Sequence, residues 1–249
     1  MAASMLQLAG LTADPAAGQS QREDLLTLLR RRYGEWAAPD LLTLAIHHLF
    51  PRRIAVVSSF GAEAAALLAL IADVDPATPV IFLDTGKHFP ETLAYREALT
   101  AALGLSDVRV VAPDPADLTA QDPGGELHRS AADRCCHIRK VLPLQRALRG
   151  LDAWITGRKR YQGGDRTALP TIELADGRFK LNPLASWDRA RLQQLLANAR
   201  LPTHPLVARG YPSIGCAPCT EPVAVGEDAR AGRWRGQAKT ECGIHDRPG

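Results

Sequence analysis

Several features that would place this chain in a common class of protein are scarce or missing. It has only five cysteines in 249 residues. No stretch approaches the roughly 18 to 20 apolar residues of a membrane span, so we expect no membrane partner. The N-terminus has no basic segment before a continuous apolar run, which argues against a signal peptide. We therefore expect a cytoplasmic protein with reduced cysteines, and a disulfide framework is the weaker interpretation.

Neither sign of charge is in clear excess. Against 27 acidic residues there are 30 basic ones, and the net charge of +3 is too small to indicate nucleic acid binding. Lysine itself is rare, because 25 of the 30 basic residues are arginine. Arginine suits bidentate recognition of phosphate or sulfate, although an Ala/Arg-rich overall composition accounts for most of these residues. The apolar share of 46% and the charged share of 23% are ordinary for a soluble globular protein.

The few cysteines form a pattern. Cys135 and Cys136 are adjacent, Cys216 and Cys219 form a CxxC, and Cys242 is left over near the end of the chain. Four soft ligands and one spare thiol indicate a metal site with a separate reactive cysteine. Because neighbouring side chains diverge, the adjacent pair suits two irons of a [4Fe-4S] cluster better than one zinc ion. A zinc site and buried cysteines without a metal remain open as alternatives.

Short apolar runs alternate with segments of helical spacing, which predicts an α/β fold with a parallel sheet flanked by helices. Two helices are predicted before the first strand and a hairpin turning at Asp176-Gly177 after the last crossover. A further helix is expected over 186–199, capped by Ser186 or Asp188. The predicted strands cover residues 54–58, 80–83, 107–112 and 152–156, and the predicted helices before and between them include 24–33, 40–50 and 90–103.

Three regions follow from this pattern. Residues 1–20 are expected to be a flexible lead-in, 21–225 a single α/β domain, and 226–249 a mobile functional tail. From about residue 202 the chain is rich in proline and glycine and shows little periodicity. No linker or internal repeat separates the central region into smaller units. The sequence leaves the oligomeric state open and allows a homo-oligomer.

Small and polar residues follow the predicted strands. The turn Ser58–Glu63 lies between a strand and a helix, where exposed backbone N–H groups suit an anion. Asp84-Thr85-Gly86 follows the next strand, so both turns should meet at one sheet edge. The loop 157–170 is rich in glycine and cations, and it could close over a polyanion or be a solvated surface loop. A second set of cations, Arg230, Arg233 and Arg235, precedes the last cysteine.

Cys242 lies on a glycine-containing tail in the run Cys242-Gly243-Ile244-His245. Such a thiol is poorly placed for core packing and well placed for nucleophilic attack. A functionally silent terminal cysteine is the alternative.

Taken together, the runs "SSFGAE", "LDTGKHFPET", "CCHIRK", "GCAPCT" and "ECGIH" resemble the assimilatory sulfonucleotide reductases. The resemblance covers about residues 50–246 with the motifs in order. The adjacent cysteine pair and the CxxC are similar to the adenylyl-sulfate (APS) reductase branch, which carries a [4Fe-4S] cluster. The related 3′-phospho-APS (PAPS) reductases share the nucleotide motifs and the tail but lack these four cysteines.

This resemblance implies a Rossmann-like fold of the adenine nucleotide alpha-hydrolase (PP-loop) type and an enzyme of assimilatory sulfate reduction and cysteine biosynthesis. Catalytic Cys242 would attack the sulfur of APS, release AMP and carry an S-sulfonate that thioredoxin or glutaredoxin reduces to sulfite. The cluster, on Cys135, Cys136, Cys216 and Cys219, would position and polarise the substrate rather than pass electrons. The substrate-binding residues implied are Ser59, Gly61, Glu63, Leu83, Asp84, Thr85, Gly86 and Gly157 for the nucleotide side and Lys140, Arg166, Arg230, Arg233 and His245 near the phosphosulfate.

Two departures from the family pattern concern the nucleotide site. Many relatives have Ser-Phe-Ser-Gly-Ala-Glu-Asp at the first loop, whereas this chain has Ser-Ser-Phe-Gly-Ala-Glu-Ala, with Ala64 in place of an acidic residue. The arginine loop reads "GRKRYQGGDR" rather than "GxRRxQSxxR", which bears on the assignment of Arg166.

Three other functions compete with APS reduction. One is reduction of PAPS, alone or beside APS. Another is a PP-loop ATP pyrophosphatase, but that class usually shows SGGxDS, which "SSFGAE" lacks. The third is a non-enzymatic iron–sulfur or zinc protein that senses redox state, for which the spare Cys242 would have no use.

Overall fold

The computed structural model describes residues 18–245, so most of the predicted lead-in and the last four residues lie outside the described part of the chain. The strands are β1 (Ile54–Val57), β2 (Val80–Leu83), β3 (Val108–Val111), β4 (Ala153–Ile155), β5 (Ile172–Ala175) and β6 (Arg178–Leu181). The helices are α1 (Gln19–Tyr33), α2 (Ala38–Leu44), α3 (Ala64–Val74), α4 (Pro90–Leu103), α5 (Pro115–Gln121), α6 (Leu127–Ser130), α7 (Ala132–Cys136), α8 (Leu142–Ala147) and α9 (Arg189–Ala199).

The six strands form one sheet in the order β3-β2-β1-β4-β6-β5. All neighbours are parallel except β5 and β6, which form an antiparallel hairpin at the sheet edge. The hairpin turns at Asp176 and Gly177, which both have positive φ, as a two-residue turn of this twist requires. The expected α/β fold with a parallel sheet flanked by helices is confirmed, and so is the position of the hairpin.

The order of the strands explains where a ligand site should lie. From β1 the chain moves outward to β2 and β3, and it then returns to place β4 on the other side of β1. At such a reversal the connections that follow the two adjacent strands, here β1 and β4, leave in opposite directions. This opens a crevice beyond the carboxyl ends of the strands. The crevice here lies above β1 and β4.

Both faces of the central strands are buried, because helices cover each side. On one face, β1 residues such as Ile54 and Val56 pack into a large apolar core with α1, α2, α3, α4 and α9. On the other face, Ala55 and Trp154 join a smaller apolar cluster with α8 residues such as Leu144. This alternation follows the period of two of a strand. It also explains why the central strands are continuous apolar runs.

Several element boundaries differ from the predicted ones for local reasons. The helix predicted to begin at residue 186 begins at Arg189, because the Asp188 carboxylate accepts a hydrogen bond from the Arg191 N–H at 2.7 Å and caps it. The helix predicted over 40–50 is split into α2 and a π turn, Ala45–Leu49. A second π turn, His137–Val141, joins α7 to α8. Such turns are frequent near functional sites, and this one begins directly after Cys136.

Within residues 18–245 no helix is both long enough and apolar enough to cross a bilayer.

Replacing Gly177 by alanine should destabilise the hairpin by about 1 kcal/mol, because its φ of +70° is strained for a residue with a Cβ. Gly124→Ala is the matched control: Gly124 is not among the positive-φ glycines and an added Cβ would meet open space. Urea unfolding of the two variants measures the difference, and equal midpoints would contradict the assignment of strain to Gly177.

Candidate active site

A cleft lies beyond the carboxyl ends of β1 and β4, at the reversal in strand order. Its walls come from the turn after β1, the loop after β4 and the C-terminal segment 212–245. Eleven of the predicted substrate and catalytic residues line it, namely Ser59, Gly61, Glu63, Leu83, Lys140, Gly157, Arg166, Arg230, Arg233, Cys242 and His245. Residues that lie up to about 190 positions apart in sequence therefore meet in one place.

The turn after β1 is shaped by backbone constraints. Ser58 Oγ accepts a hydrogen bond from the Phe60 N–H at 3.2 Å, and Phe60 takes a left-handed conformation with φ of +48°. The buried Phe60 ring packs edge-on against Phe82 with centroids 5.7 Å apart, which holds this conformation. At Gly61 an added Cβ would lie 3.2 Å from the Ile214 carbonyl oxygen, so the turn and the C-terminal segment approach closely.

Glu63 ends this turn and is held from three sides. Its carboxylate accepts hydrogen bonds from Lys159 Nζ at 2.6 Å, Tyr161 Oη at 2.6 Å and Gln162 Nε2 at 3.0 Å. Burial opposes the charged form, but the Lys159 ammonium and the hydrogen bonds outweigh it and lower the pKa of Glu63. The carboxylate is therefore ionised at neutral pH and fixes the loop after β4 against the turn after β1.

The loop after β4 was predicted only as a cationic, glycine-rich segment. It forms two short 3₁₀ turns, Arg160–Gln162 and Gly164–Arg166, that direct Lys159 and Arg166 into the cleft. Arg158 also lines the cleft, but Glu173 and Asn182 bind its guanidinium.

The C-terminal segment closes the cleft from above. Arg166 Nε and Nη2 donate to the two carboxylate oxygens of Glu241 at 2.5 and 2.8 Å. Arg230 Nη2 lies 3.5 Å from the same carboxylate and donates to the Thr240 carbonyl at 2.7 Å. These contacts place the partly buried Cys242 in the wall of the cleft, directly after Glu241.

Beyond Cys242 the chain is held by apolar and aromatic contacts. Ile244 packs against the cluster that contains Trp154. The His245 ring stacks on the Trp154 indole with an interplanar angle of 5° and centroids 6.0 Å apart, and the Lys180 ammonium lies 4.6 Å from the centre of the same indole. Burial and nearby Lys180 hold the pKa of His245 well below 6.5, so this imidazole is neutral at pH 7.

The four other cysteines line a second, smaller cavity that adjoins the cleft. Cys135 and Cys136 lie on α7, whereas Cys216 and Cys219 bracket a short 3₁₀ turn. Backbone pairing of His88 with Cys216 fixes the CxxC segment beside the β2 turn. Lys140, Arg233 and Trp234 line both the cleft and this cysteine cavity.

The cysteine cavity is surrounded by cations. Arg139 donates to the Asp122 carboxylate at 2.7 Å and to the Thr85 carbonyl at 2.8 Å, which ties the π turn after α7 to the β2 turn. Gly215 lies against the Arg233 guanidinium, because a Cβ there would come within 2.2 Å of it. Burial opposes ionisation of Cys216, but Lys140 and a contact with Thr85 outweigh it and lower its pKa.

No three potential ligands among the described residues converge closely enough to hold a single metal ion. All five cysteines are free thiols. The four that line the cavity are soft ligands, and four thiols are the donors that a [4Fe-4S] cluster takes, one on each iron. The donor set therefore fits a [4Fe-4S] cluster.

Three predicted nucleotide residues lie elsewhere. Asp84, Thr85 and Gly86 are not among the residues that line the cleft, although Leu83 is. Asp84 Oδ1 accepts a hydrogen bond from the Gly86 N–H at 2.9 Å, and Thr85 Oγ1 lies 3.3 Å from Cys216 Sγ. This turn therefore contacts the cysteine cavity.

Other residues of the site were not predicted. Lys159, Tyr161, Gln162 and Glu241 line the cleft, and Trp154 supports His245 from below. The position of Lys159 just after a strand end is a signal that could have singled it out. Nothing in the sequence distinguishes Glu241 or Trp154 from other acidic or aromatic residues.

The fold and the site together define an α/β protein of the PP-loop-like type with a cation-lined cleft beside a cysteine cavity. The phosphoadenosine phosphosulfate reductase domain matches residues 53–222. The chain belongs to this family.

Named relatives support the assignment over most of the chain. An adenosine 5′-phosphosulfate reductase of Mesorhizobium japonicum is 52% identical over 213 residues, which cover 86% of this chain and 84% of that protein. An enzyme of the same name from Mycobacterium tuberculosis is 45% identical over 196 residues, or 76% of this chain and 75% of the relative. A phosphoadenosine 5′-phosphosulfate reductase of Gloeobacter violaceus is 40% identical over 240 residues, covering 94% of this chain and 98% of that one.

Solved structures agree on the fold. The phosphate complex of phosphoadenylyl-sulfate reductase from Candida auris superposes with a TM-score of 0.70 and 27% identity, over 84% of this chain and all of that one. An FMN adenylyltransferase of Candida glabrata reaches a TM-score of 0.51 at 18% identity, over 80% of this chain and 71% of its own. The similarity to the FMN adenylyltransferase concerns the fold alone.

Replacing Glu63 by glutamine should destabilise the protein by about 2 kcal/mol at pH 7, because it leaves the buried Lys159 ammonium unpaired. The contribution of Glu63 is complete above its unfolded pKa of 4.5 and is lost as pH falls through the lowered folded value. The difference from wild type should therefore shrink below pH 4.5.

Urea unfolding at several pH values measures this difference. Glu97→Gln, at an exposed carboxylate on α4, is the control and should change stability little at any pH. A Glu63→Gln deficit that stays constant from pH 7 to below pH 4 would contradict an ionic role.

Proposed function

We propose that this protein reduces adenylyl sulfate to sulfite and AMP, with electrons from a dithiol protein such as thioredoxin or glutaredoxin. The observation that carries the proposal is the meeting of Cys242 with Lys140, Arg166, Arg230 and Arg233 in one cleft. A reactive thiol among cations at the carboxyl ends of parallel strands suits an anionic nucleotide substrate. The names of the Mesorhizobium and Mycobacterium relatives support the choice of reaction.

In this proposal the nucleotide lies along the turn after β1, and its phosphosulfate lies toward the cations named above, Lys140, Arg166, Arg230 and Arg233. Ser59, Gly61 and Glu63, with Leu83 and Gly157, form the adenosine side in this proposal. Asp84, Thr85 and Gly86 act indirectly, by holding the CxxC segment through the Thr85 contact with Cys216.

In the first step the Cys242 sulfur attacks the sulfate sulfur of the substrate. The S–O bond to the phosphate breaks, its electron pair leaves with AMP, and Cys242 keeps an S-sulfonate. Negative charge builds on the phosphate oxygens, where the fixed guanidinium groups of Arg166, Arg230 and Arg233 stabilise it. His245 Nδ1 is buried without a hydrogen-bond partner among the described residues and is available to a substrate oxygen.

In the second step a thiolate of the dithiol protein attacks the Cys242 sulfur. The S–S bond to the sulfonate breaks and sulfite leaves, so that a mixed disulfide remains. The second thiol of the dithiol protein then attacks that protein's first cysteine sulfur in the mixed disulfide, and Cys242 leaves as a thiolate. Two electrons pass from the dithiol to the sulfonate sulfur, and the partner leaves as a disulfide.

We propose that Cys135, Cys136, Cys216 and Cys219 hold a [4Fe-4S] cluster, since all four thiols line one cavity. When bound, the cluster supplies a fixed charged group beside the substrate site and no electrons for the reaction. Lys140 lies between the two sites, where it interacts electrostatically with the sulfurs of Cys216 and Cys242.

The segment 226–249 acts as a catalytic tail on the central region 21–225 in this proposal. Cys242 has to meet a substrate inside the cleft and then a protein dithiol outside it, so the tail must open during each cycle. Its contacts in residues 226–245 are mainly ionic before Cys242 and apolar after it.

Replacing Cys242 by serine should abolish sulfite formation and leave the brown iron–sulfur absorbance intact, because its thiol is not one of the four cavity ligands. Cys216→Ser is the contrasting variant and should lose the colour. Wild-type protein mixed with adenylyl sulfate in the absence of reductant should carry a sulfonate on the Cys242 peptide in mass spectrometry. Sulfite release by Cys242→Ser would refute the mechanism.

One observation favours PAPS as a second substrate. The Arg189 guanidinium lies over the Tyr161 ring, 5.7 Å from its centre, at the rim of the cleft where a further phosphate could reach it. The Gloeobacter and Candida auris relatives are named for the phosphorylated substrate.

We expect kcat/KM to favour adenylyl sulfate by roughly tenfold or more when both nucleotides are compared under the same reductant. Most cations on the adenosine side are already neutralised: Arg158 by Glu173 and Lys159 by Glu63. Arg189→Ala should leave turnover of adenylyl sulfate within about twofold of wild type. A preference for PAPS that this substitution removes would support the second substrate instead.

A further inference from the structure

Glu241, the residue before the reactive cysteine, occupies the cation site of the cleft. We propose that Glu241 is a placeholder for the substrate's phosphosulfate: it pairs with Arg166 and Arg230 until the substrate displaces it, and its displacement releases Cys242 to move. This makes Glu241 a positioning residue that couples anion binding to the position of the thiol. The inference rests on the proposed function for the identity of the anion.

Glu241 occupies the side-on fork of the Arg166 guanidinium. Its Nε and Nη2 form the planar fork that suits carboxylate, phosphate and sulfate alike, and both already donate to Glu241 at 2.5 and 2.8 Å. Its remaining terminal nitrogen donates to the Gln162 amide oxygen. A substrate oxyanion can therefore gain this Nε/Nη2 contact with Arg166 only if the Glu241 carboxylate leaves.

Because Arg166 and Arg230 are largely buried, the departure of Glu241 requires that another anion take its place. The side chains of Arg166, Glu241 and Arg230 are only 10, 13 and 17% exposed. An unpaired charge in such a setting is costly, so Arg166 and Arg230 favour a state in which some anion is present. Glu241 provides that anion in the absence of substrate, and an incoming phosphosulfate can replace it.

The exchange is linked to the thiol by the covalent chain. Cys242 follows Glu241 directly, and Gly243 follows Cys242 with φ of +83°. On the other side of that glycine, Ile244 and His245 are fixed by the Trp154 cluster. Cys242 thus lies between an ionic anchor that an anion can displace and an apolar anchor that it cannot.

A different role is possible for the same contacts. If Glu241 stayed on Arg166 during the reaction, it would be a permanent anchor that holds Cys242 in place. The two roles give opposite kinetics for Glu241→Gln. If Glu241 is a placeholder, the neutral glutamine competes less well with the substrate, and KM falls. If Glu241 is an anchor, its loss misplaces the Cys242 thiol, and kcat falls.

The first test compares sulfite formation by wild type, Glu241→Gln and a matched control. Glu227→Gln is that control, because Glu227 also pairs with an arginine, Arg235, in the same segment but outside the cleft. We expect Glu241→Gln to lower KM for adenylyl sulfate by roughly tenfold, the size of one hydrogen bond between charged groups, and to keep kcat within about twofold. A lower kcat with an equal or higher KM overturns the proposal.

The second test needs no turnover. Iodoacetamide labels Cys242, and peptide mapping separates it from the other cysteines. Inorganic phosphate should speed labelling of wild type and of Glu227→Gln by roughly tenfold relative to chloride at equal ionic strength, because the anion displaces Glu241. Glu241→Gln should label at the fast rate in both salts.

The two tests separate this inference from the proposed function. No effect of phosphate on wild-type labelling overturns the placeholder role, whatever the enzyme does with adenylyl sulfate. A clear phosphate effect in a protein that forms no sulfite overturns the proposed reaction and leaves the exchange at Arg166 intact.

Discussion

A buried cation must be matched by an anion, and this requirement organises the whole cleft. Lys159 is matched by Glu63, Arg158 by Glu173, Arg139 by Asp122 and Arg166 by Glu241. The first three partners precede the C-terminal tail: Glu63 ends the turn after β1, Glu173 lies on β5 and Asp122 follows α5. The fourth comes from the C-terminal tail, so the last pair ties the state of the active site to the position of Cys242.

Lys140 meets the same requirement in a different way. Burial opposes its charge, but the sulfurs of Cys216, Cys242 and Cys136 favour it and raise the pKa of Lys140. These sulfurs belong both to the cysteine cavity and to the candidate nucleophile. Because Lys140 and Arg233 line both the cleft and the cavity, they link the charge of the cysteine cavity to the substrate cleft.

The parts of the protein that could be predicted from the sequence are those specified by local patterns. The apolar runs of β1, β2 and β4 are buried on both faces and stand out as short strands, and the Asp176-Gly177 turn has the residues that its positive φ values demand. Spacing alone grouped Cys135 and Cys136 with Cys216 and Cys219, and the structure places all four around one cavity.

What could not be predicted depends on contacts between distant segments. Asp84, Thr85 and Gly86 follow β2 as expected, but β2 is one strand removed from the reversal between β1 and β4, so their turn faces the cysteine cavity. Glu241 and Trp154 take their roles from partners 75 and about 90 residues away. No local pattern encodes which acidic residue will meet which arginine.

The two anchors of the tail differ in how they respond to the solvent. Ions screen the contacts of Glu241 with Arg166 and Arg230, as they do any partly exposed pair. The burial of Ile244 is insensitive to screening and is strengthened by salts that are excluded from protein surfaces. Rising ionic strength therefore loosens the tail only on the side before Cys242. The residues before Cys242 should therefore move about Gly243, whereas Ile244 and His245 stay packed at Trp154 of β4.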